Sequence, residues 1–431
     1  MSQRGIRFLI TIFQLLISVS LYADNWTAES YIKSVFTVSN EIKRYEEDAL
    51  IYKNEYISSL ANAFLPAVSI KVSQSPYSNS NEPRWNFSRD NTSAATNVSM
   101  NLFNGWKDRF DIDKSRINRK MAEKKLWLEK QNMALTSLKT YYRALGKKRL
   151  LEVVKTSLKS YEEQYYKVKD YYKNGMKSLS DLLKSELNLR TSQLQEVTAV
   201  EGYKNSVMDF NLTLRRQPEI EVELQDADEN ADRMGPSLEQ DIQSALKNRP
   251  ELELAGIELE KNRISMRKSR INSYPDFSID ASWNRQGIGS IGRPAEGTAN
   301  PTYSIAMTFS VPIGPQTISD RNSVVQAEIE LERAKRTLRE KELEVRREVI
   351  SRYFAFLTVA KRHEVSKMKS RISKQNLEIV QEQYNQGRAG IIELAEAQKD
   401  DLESQSELAD ALYNLVIAEA EYKKALGIRL W

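Results

Sequence analysis

The chain has 431 residues, 40% hydrophobic and 29% charged, with a formal net charge of +5 made of both signs. It has no cysteine and one histidine, His363, which excludes disulfides and thiolate chemistry and argues against zinc sites and Ser/His/Asp catalysis. The sequence has neither a phosphate-binding glycine loop nor a basic stripe, so we expect no enzyme, no cofactor and no nucleic-acid partner.

Residues 1–23 have the features of a secretory signal peptide. Arg4 and Arg7 give a positive start, and an apolar stretch of about 14 residues follows, which is short for a membrane span. Ala23 is the predicted cleavage position, and an uncleaved membrane anchor is the alternative. Both interpretations predict that the rest of the chain is exported.

Four segments, at about 67–74, 96–103, 276–284 and 302–311, alternate apolar and polar residues with the period of β-strands. A soluble sheet packed on a core shows the same alternation. Strand lengths near the 9–11 residues of a membrane strand, and the long polar connections within each pair, favour a membrane sheet. The face predicted to meet lipid comprises Val68, Ile70, Val72, Val98, Met100, Leu102, Phe277, Ile279, Trp283, Tyr303, Ile305, Met307 and Phe309.

Four strands are too few for a membrane barrel, since about eight is the smallest number that closes. Open sheet edges cannot satisfy their backbone hydrogen bonds in lipid. If the sheet lies in the membrane, several chains must therefore supply it, and three copies would give twelve strands. This reasoning predicts an oligomer in contact with outer-membrane lipid.

Two stretches predict unusually long helices. Residues 107–172 contain no proline and one glycine, and residues 316–386 contain neither. At 1.5 Å per residue, about 65 residues would extend roughly 100 Å. A plain coiled-coil rod is the alternative, but it leaves the strands unexplained. The spacing of a coiled coil connects Val324, Ala327, Leu331, Ala334 and Leu338, and a similar pattern includes Leu408, Leu412, Leu415 and Tyr422.

The chain repeats itself at an offset of 212 residues. The pattern Tyr-x-x-Gly, followed six residues after the glycine by an acid and a leucine, occurs at 172–182 and at 384–394. A repeat this long indicates duplicated architecture. We predict a signal peptide at 1–23, a first repeat at 24–215, a linker at 216–236 with one short strand, and a second repeat at 237–431. Each repeat should contain a helix, two strands and a long helical hairpin.

The two Tyr-x-x-Gly turns are candidate functional ends. Gly175 and Gly387 suit left-handed helix ends, and Ser178 or Ser180 can cap the helix that follows. Asp181, Glu393 and Glu396 fall in the first turns of the returning helices, where acids stabilise the helix dipole. In a trimeric tunnel the same acids would form a ring that attracts cations. Both interpretations stay open.

The duplicated Tyr-x-x-Gly motif, in register with the strand pairs, resembles the TolC-like outer-membrane factors over residues 24–427. The resemblance implies a homotrimer with a twelve-stranded β-barrel in the outer membrane and an α-helical tunnel in the periplasm. It also implies docking onto a periplasmic adaptor protein and an inner-membrane transporter of the RND, ABC or MFS type. The implied tip and adaptor-contact residues are Tyr172, Gly175, Leu182, Tyr384, Gly387, Arg388 and Leu394.

The resemblance further implies an acidic channel entrance. In the family, two aspartates three residues apart line this entrance, and Glu393 and Glu396 hold their positions here. A family arginine that helps to hold the closed state is replaced by Ala389, with Arg388 adjacent. We therefore expect a passive outer-membrane channel of a tripartite efflux pump or type I secretion system. The alternative is an exported periplasmic coiled-coil binding or scaffold protein without a pore.

Overall fold

A computed structural model describes residues 25–74, 77–78, 84–85, 92–226, 237–286, 289–290, 293–294 and 300–431. The predicted signal peptide lies outside these residues. The described chain is mostly helical. Its helices are α1 (Ala28–Val38), α2 (Asn40–Phe64), α3 (Lys107–Lys173), α4 (Leu179–Thr213), α5 (Leu238–Asn248), α6 (Pro250–Arg270), α7 (Pro315–Asn385) and α8 (Ile391–Ala425).

The strands form one sheet of four strands and three two-residue pairs. The strands are β1 (Asn25–Trp26), β2 (Ala67–Gln74), β3 (Tyr77–Ser78), β4 (Arg84–Trp85), β5 (Thr92–Phe103), β6 (Glu223–Leu224), β7 (Asp276–Gln286), β8 (Gly289–Ser290), β9 (Arg293–Pro294) and β10 (Thr302–Ser310). The four-stranded sheet has the order β10-β7-β5-β2, and every neighbouring pair is antiparallel.

The chain divides into two compact units. The tip unit comprises Met1–Ile42, Leu128–Arg249 and Glu344–Trp431, and the sheet unit comprises Lys43–Trp127 and Pro250–Leu343. Among the described helices, none has the combined length and hydrophobicity that crossing a membrane requires.

An aromatic core holds the tip unit together. Tyr31 stacks on Phe210 with ring centroids 4.1 Å apart, and Trp26 packs edge-on against both rings. The Tyr141 hydroxyl lies 2.7 Å from the carbonyl oxygen of Trp26 and 2.8 Å from that of Gln225, at the parallel pair β1–β6, and its single hydrogen is shared between these two acceptors. Burial raises the pKa of Tyr141 to about 12, so this donor stays protonated at physiological pH.

Polar contacts join the helices and strands of the sheet unit. The Ser59 and Ser115 hydroxyls lie 2.7 Å apart between α2 and α3. At the start of α3, the Lys107 ammonium lies 3.0 Å from the Asp276 carboxylate at the start of β7. The coiled-coil seam predicted on α7 faces inward at Leu331, which is buried.

The helix preceding each strand pair is broken, which the sequence prediction of a single helix missed. Ser39 and Arg249 adopt extended conformations between α1 and α2 and between α5 and α6. Arg249 precedes Pro250, and a residue before proline is pushed out of the helical region. Pro250 is the first residue of α6. The N–H at this position has no hydrogen-bond partner within a helix, so its absence in proline costs nothing.

Some strand bounds also differ from the sequence prediction. β5 begins at Thr92 rather than near residue 96, β7 continues to Gln286, and β10 ends at Ser310. In the linker, only Glu223–Leu224 forms a strand, and residues 227–236 lie outside the described chain.

Gly427, just after α8, occupies a site that a side chain cannot enter without strain. Its φ is +78°, and an added Cβ would lie 2.8 Å from the carbonyl oxygen of Asn248. We expect Gly427→Ala to lower the free energy of unfolding by about 1–3 kcal/mol and the Tm by several degrees. Circular dichroism of the helical signal during heating measures this change.

Gly202→Ala is the matched control in the same unit. Gly202 lies inside α4, and the nearest atom to an added Cβ is 3.9 Å away. Alanine favours a helix by up to about 1 kcal/mol over glycine, so the Tm should hold or rise. Equal losses of Tm in the two variants would contradict this account of Gly427.

Candidate functional site

The register of the four-stranded sheet collects the predicted apolar residues into rows. Val68 pairs with Val98, Val98 with Ala281, and Ala281 with Ile305. Directly paired residues lie on one face of a sheet, and residues two apart on a strand share that face. The other rows of this apolar face are Ile70–Thr96–Trp283–Tyr303, Met100–Ile279–Met307 and Phe103–Phe277–Phe309, and Val72 pairs with Ala94 beyond them.

The apolar face is open at both edge strands. Ile70 on β2 is 77% exposed and Ile305 on β10 is 76% exposed. A soluble sheet packed on a core would bury these side chains. The exposure is what a membrane sheet requires, because lipid takes the place of the core.

The opposite face of the sheet is polar. Ser69, Asn97, Ser282 and Ser304 form one row across all four strands. The hydroxyls of Ser282 and Ser304 lie 2.7 Å apart, and those of Ser73 and Ser93 lie 2.9 Å apart. A sheet with one apolar and one hydroxyl-rich face can separate lipid from a water-filled passage.

A β-bulge near the end of β5 changes one predicted position. The register shifts between Asn101 and Phe103, and Phe103 rather than Leu102 pairs with Phe277. Strict alternation predicted Leu102 on the lipid face; because a bulge adds one residue to the strand, Phe103 takes the place beside Phe277, and the lipid position of Leu102 stays a prediction.

Both edge strands lack a second partner strand among the described residues. Within that part of the chain, β2 pairs with β5 alone, and β10 pairs with β7 alone. Because the sheet is antiparallel throughout and has four strands, β2 and β10 run in opposite directions. A β2 edge of one copy and a β10 edge of another could therefore pair as antiparallel neighbours.

The two hairpin turns share one hydrogen-bond pattern. Met176 N–H donates to Tyr171 O (2.9 Å) and Gly175 N–H to Tyr172 O (3.0 Å). Arg388 N–H donates to Gln383 O (2.8 Å), and Gly387 N–H donates to Tyr384 O (3.1 Å). Gly175 and Gly387 have φ of +72° and +74°. Each helix thus ends in a Schellman motif, which the positive φ of glycine permits.

Two of the three predicted acids cap helices. Ser178 caps α4, and its N–H and hydroxyl donate to the Asp181 carboxylate at 3.2 and 2.9 Å. Gly390 N–H donates to the Glu393 carboxylate at 3.0 Å at the start of α8. These bonds satisfy backbone groups that a helix start leaves open. Both carboxylates therefore stabilise the starts of their helices, and their place in an acid ring stays a prediction.

Glu396 has no such role. It is exposed and has no hydrogen-bond or ion-pair partner within the described part of the chain. It also belongs to a stripe of exposed acids that the sequence analysis did not identify. These acids recur every three or four residues along α8, a spacing that is visible in the sequence. The stripe comprises Glu393, Glu396, Asp400, Glu403, Glu407 and Asp410. Lys369 of α7 neutralises part of it, with 2.8 Å to the Glu407 carboxylate.

The two tips differ in burial despite their shared motif. Tyr172 is 39% exposed, whereas Tyr384 is 3% exposed. Tyr384 belongs to a small core with Val168, Ile391 and Leu394, against which Leu182 packs. This core joins residues of both hairpins.

Lysines of the first hairpin reach the second. Lys177 Nζ lies 4.7 Å from the centroid of the Tyr384 ring, and Lys167 Nζ donates to Asn385 Oδ1 at 2.6 Å. Burial is the main cause that raises the pKa of Tyr384, and the nearby Asp181 charge adds to it. Sequence reasoning did not find Lys167, Lys177 or Asn385, because nothing in the sequence shows which lysines reach across. Arg388 is exposed and Ala389 is buried.

Comparison with known families finds a match over most of the chain. The family described as outer membrane efflux protein matches residues 52–210 and 242–428, which include the four-stranded sheet and both hairpins. Comparison with curated proteins found no match.

Solved outer-membrane channels share this fold. The structure of CusC superposes with a TM-score of 0.77 at 14% identity, covering 95% of this chain and 94% of CusC. VceC of Vibrio cholerae gives 0.73 at 14% identity, covering 94% and 97% of the two chains. The CmeC outer membrane channel of Campylobacter jejuni gives 0.72 at 16% identity, covering 93% and 85%.

The unequal burial of the two tip tyrosines yields a prediction. Tyr384→Ala should cost about 3 kcal/mol or more, because it empties the small core between the hairpins. Tyr172→Ala should cost less than about 1 kcal/mol, since that ring is largely exposed. Hydrogen exchange of peptides spanning 380–396 should accelerate in the first variant only.

Tyr384→Phe separates packing from polarity. The Tyr384 hydroxyl is buried beside the Gln164 side chain, but the two groups do not meet in hydrogen-bond geometry, and no other described residue bonds to the hydroxyl. Its removal should therefore leave exchange at the second tip unchanged or slower. Faster exchange in Tyr384→Phe, or equal effects of the two alanine variants, would contradict the packing account.

Proposed function

Because this chain belongs to the outer membrane efflux protein family, we propose that it is one subunit of a homotrimeric channel whose opening depends on docked partner proteins. The chain is an outer-membrane efflux channel protein, not an enzyme, with its helical part in the periplasm. The observation that carries the trimer proposal is an exposed apolar sheet face with two free edges.

The proposed assembly closes the sheet with twelve strands, four from each of three copies. Pairing of β2 with β10 of the next copy supports this number, because it leaves no open edge in lipid. The hydroxyl-rich face then lines the passage. The helices α3, α4, α7 and α8 of three chains form the proposed periplasmic tunnel that continues the barrel.

The internal duplication is the second part of the proposal. We propose the boundaries that the sequence predicts: a signal peptide at 1–23, a first repeat at 24–215, a linker at 216–236 and a second repeat at 237–431. The identical hydrogen-bond patterns at Gly175 and Gly387 support two related halves. An exported scaffold protein without a pore is disfavoured, since it would have no use for an exposed apolar sheet.

The hairpin tips are the proposed gate and docking end. Tyr172–Leu182 and Tyr384–Glu396 close the passage and meet a periplasmic adaptor, which connects them to an inner-membrane transporter of the RND, ABC or MFS type. Export through a type I secretion system uses the same conduit. The chain supplies no energy, and opening requires the two hairpins to separate, which breaks the Lys177–Tyr384 and Lys167–Asn385 contacts.

Disulfide cross-linking tests the trimer. Val68 and Ile305 lie in one row at opposite edges of the sheet, three strand spacings apart, about 14 Å. A disulfide needs Cα atoms within about 7 Å, so cysteines on β2 and β10 can bond only between chains. In this cysteine-free protein, pairs scanned along the two strands should give covalent trimers on non-reducing gels.

Single-cysteine variants are the controls and should stay monomeric on denaturing gels. Only monomers at every register of the scan, under oxidising conditions and in membranes, would exclude the proposed β2–β10 contact. Cross-linked dimers without trimers would exclude the threefold assembly and leave the edge contact intact.

Channel recordings test the proposed acid ring. Glu396→Gln removes a charge without removing a cap, so block by trivalent lanthanum in planar bilayers should weaken several-fold. Glu393→Gln keeps a carbonyl oxygen for Gly390 N–H and should add to the effect in the double variant. The control is Glu29→Gln, which replaces an exposed acid that pairs with Lys33 on α1. This variant should leave the lanthanum block unchanged. Unchanged block in the double variant would remove the acid ring.

A further inference from the structure

A cavity of about 450 Å³ lies between α3, α7 and α8 within the tip unit. The residues that α7 contributes to its wall are three or four positions apart, which places them on one face of the helix. Towards the end of α7 this face carries His363, Lys367, Ser370 and Lys374. The spacing is that of a coiled-coil seam, but such a seam is normally apolar. The polar stretch therefore coincides with a gap in the packing of α7 against α8.

The opposite wall of the cavity is apolar. α8 contributes Leu408, Leu412, Leu415 and Val416, and α3 contributes Val153. Each of these side chains is half-buried, so part of its apolar surface still faces water. A hydrocarbon chain laid along this wall would remove that surface from water, which is favourable.

Most charged groups of the cavity wall are already balanced by a partner. The pairs are Arg149–Glu152 (3.0 Å), Tyr413–Asp226 (3.0 Å) and Lys423–Glu419 (2.7 Å). Lys367 and Lys374, by contrast, have no hydrogen-bond or ion-pair partner among the described residues. Two turns of α7 separate them, and their flexible four-carbon stems let both ammonium groups approach one anion. The cavity thus has an unbalanced positive charge beside an apolar wall.

A second copy of this chain has a different face of α7 on which to pack. Val365, Met368 and Ile372 are between 50% and 57% exposed. At 3.6 residues per turn, these three side chains lie on the side of α7 opposite Lys367 and Lys374. A copy packed on that apolar side would leave the cavity uncovered.

We propose that this cavity binds an amphipathic anion of the fatty-acid class, with one apolar chain and one carboxylate. The carboxylate accepts hydrogen bonds from Lys367 and Lys374, and the chain lies along Leu408, Leu412 and Leu415. An apolar cavity with a few convergent polar groups is the usual form of a small-molecule site, and the positive charge selects an anion. The inference goes beyond the proposed channel, because the cavity is formed within one unit of a single chain.

Equilibrium dialysis with radiolabelled decanoate tests the site. The full chain is placed in phosphatidylcholine nanodiscs, and empty nanodiscs give the background uptake into lipid. We expect saturable binding of one decanoate per chain. Decanol has the same chain without the charge, so displacing the label should take at least about tenfold more decanol than unlabelled decanoate.

Two double variants separate the proposed site from a general effect of charge. Lys367→Gln with Lys374→Gln should weaken decanoate binding about tenfold or more, and the Tm should not change because neither lysine has a partner to lose. Lys155→Gln with Lys159→Gln is the matched control, since it removes the same charge from two exposed lysines of α3 that do not line this cavity. This control should bind decanoate as the natural chain does.

Three outcomes would contradict the proposal. Equal affinities of the two double variants would overturn the lysine site. Displacement by decanol as effective as that by decanoate would show apolar partitioning alone and overturn the selection of an anion. No saturable binding to the natural chain, the result expected if a second copy covers the cavity, would overturn the ligand site itself.

Discussion

The four-stranded sheet imposes the constraint on which the rest of the molecule depends. One of its faces is apolar and exposed at the edge strands, and neither edge strand has a second partner strand among the described residues. In water this arrangement would promote aggregation. In lipid the apolar face is satisfied but the edges are not, because hydrocarbon offers no hydrogen-bond partner. Because the chain belongs to the outer membrane efflux protein family, lipid can cover the apolar face. A closed barrel of several chains would pair the edges.

The long helices follow from the opposite requirement. They carry charges over most of their length, and α8 presents a stripe of acids to solvent. Such helices are stable only where water solvates their polar faces, so their stability depends on seams of packed side chains such as that around Leu331. The sheet and the helices thus need different surroundings.

Most of the fold could be predicted from the sequence, because its patterns are periodic and local. Alternation located the strands, and the near absence of proline and glycine located α3 and α7. What failed was non-periodic or non-local. The bulge that puts Phe103 in place of Leu102 leaves no trace in the alternation. The helix breaks at Ser39 and Arg249 depend on single residues, and only Pro250 marked one of them.

At the candidate site, even less could be predicted from the sequence. The sequence motif treats Tyr172 and Tyr384 as equivalent, but only the structure shows one exposed and the other buried beneath Lys177. Likewise, Asp181, Glu393 and Glu396 form one class of acid in the sequence. The hydrogen bonds divide them into two caps and one carboxylate without a partner in the described chain. Burial and hydrogen bonding depend on tertiary packing, which a repeat in sequence does not encode.

The unequal tips bear on how such a gate could work. If both tyrosines were exposed, the hairpins could slide past each other gradually. Tyr384 instead fills a core to which both hairpins contribute, and packed cores resist partial displacement because small gaps lose much of the contact energy. Separation of the hairpins would therefore expose the ring, the Lys177 contact and the Lys167–Asn385 bond together. The proposed gate would therefore have two discrete states, and a partner would open it only by binding the separated state more tightly.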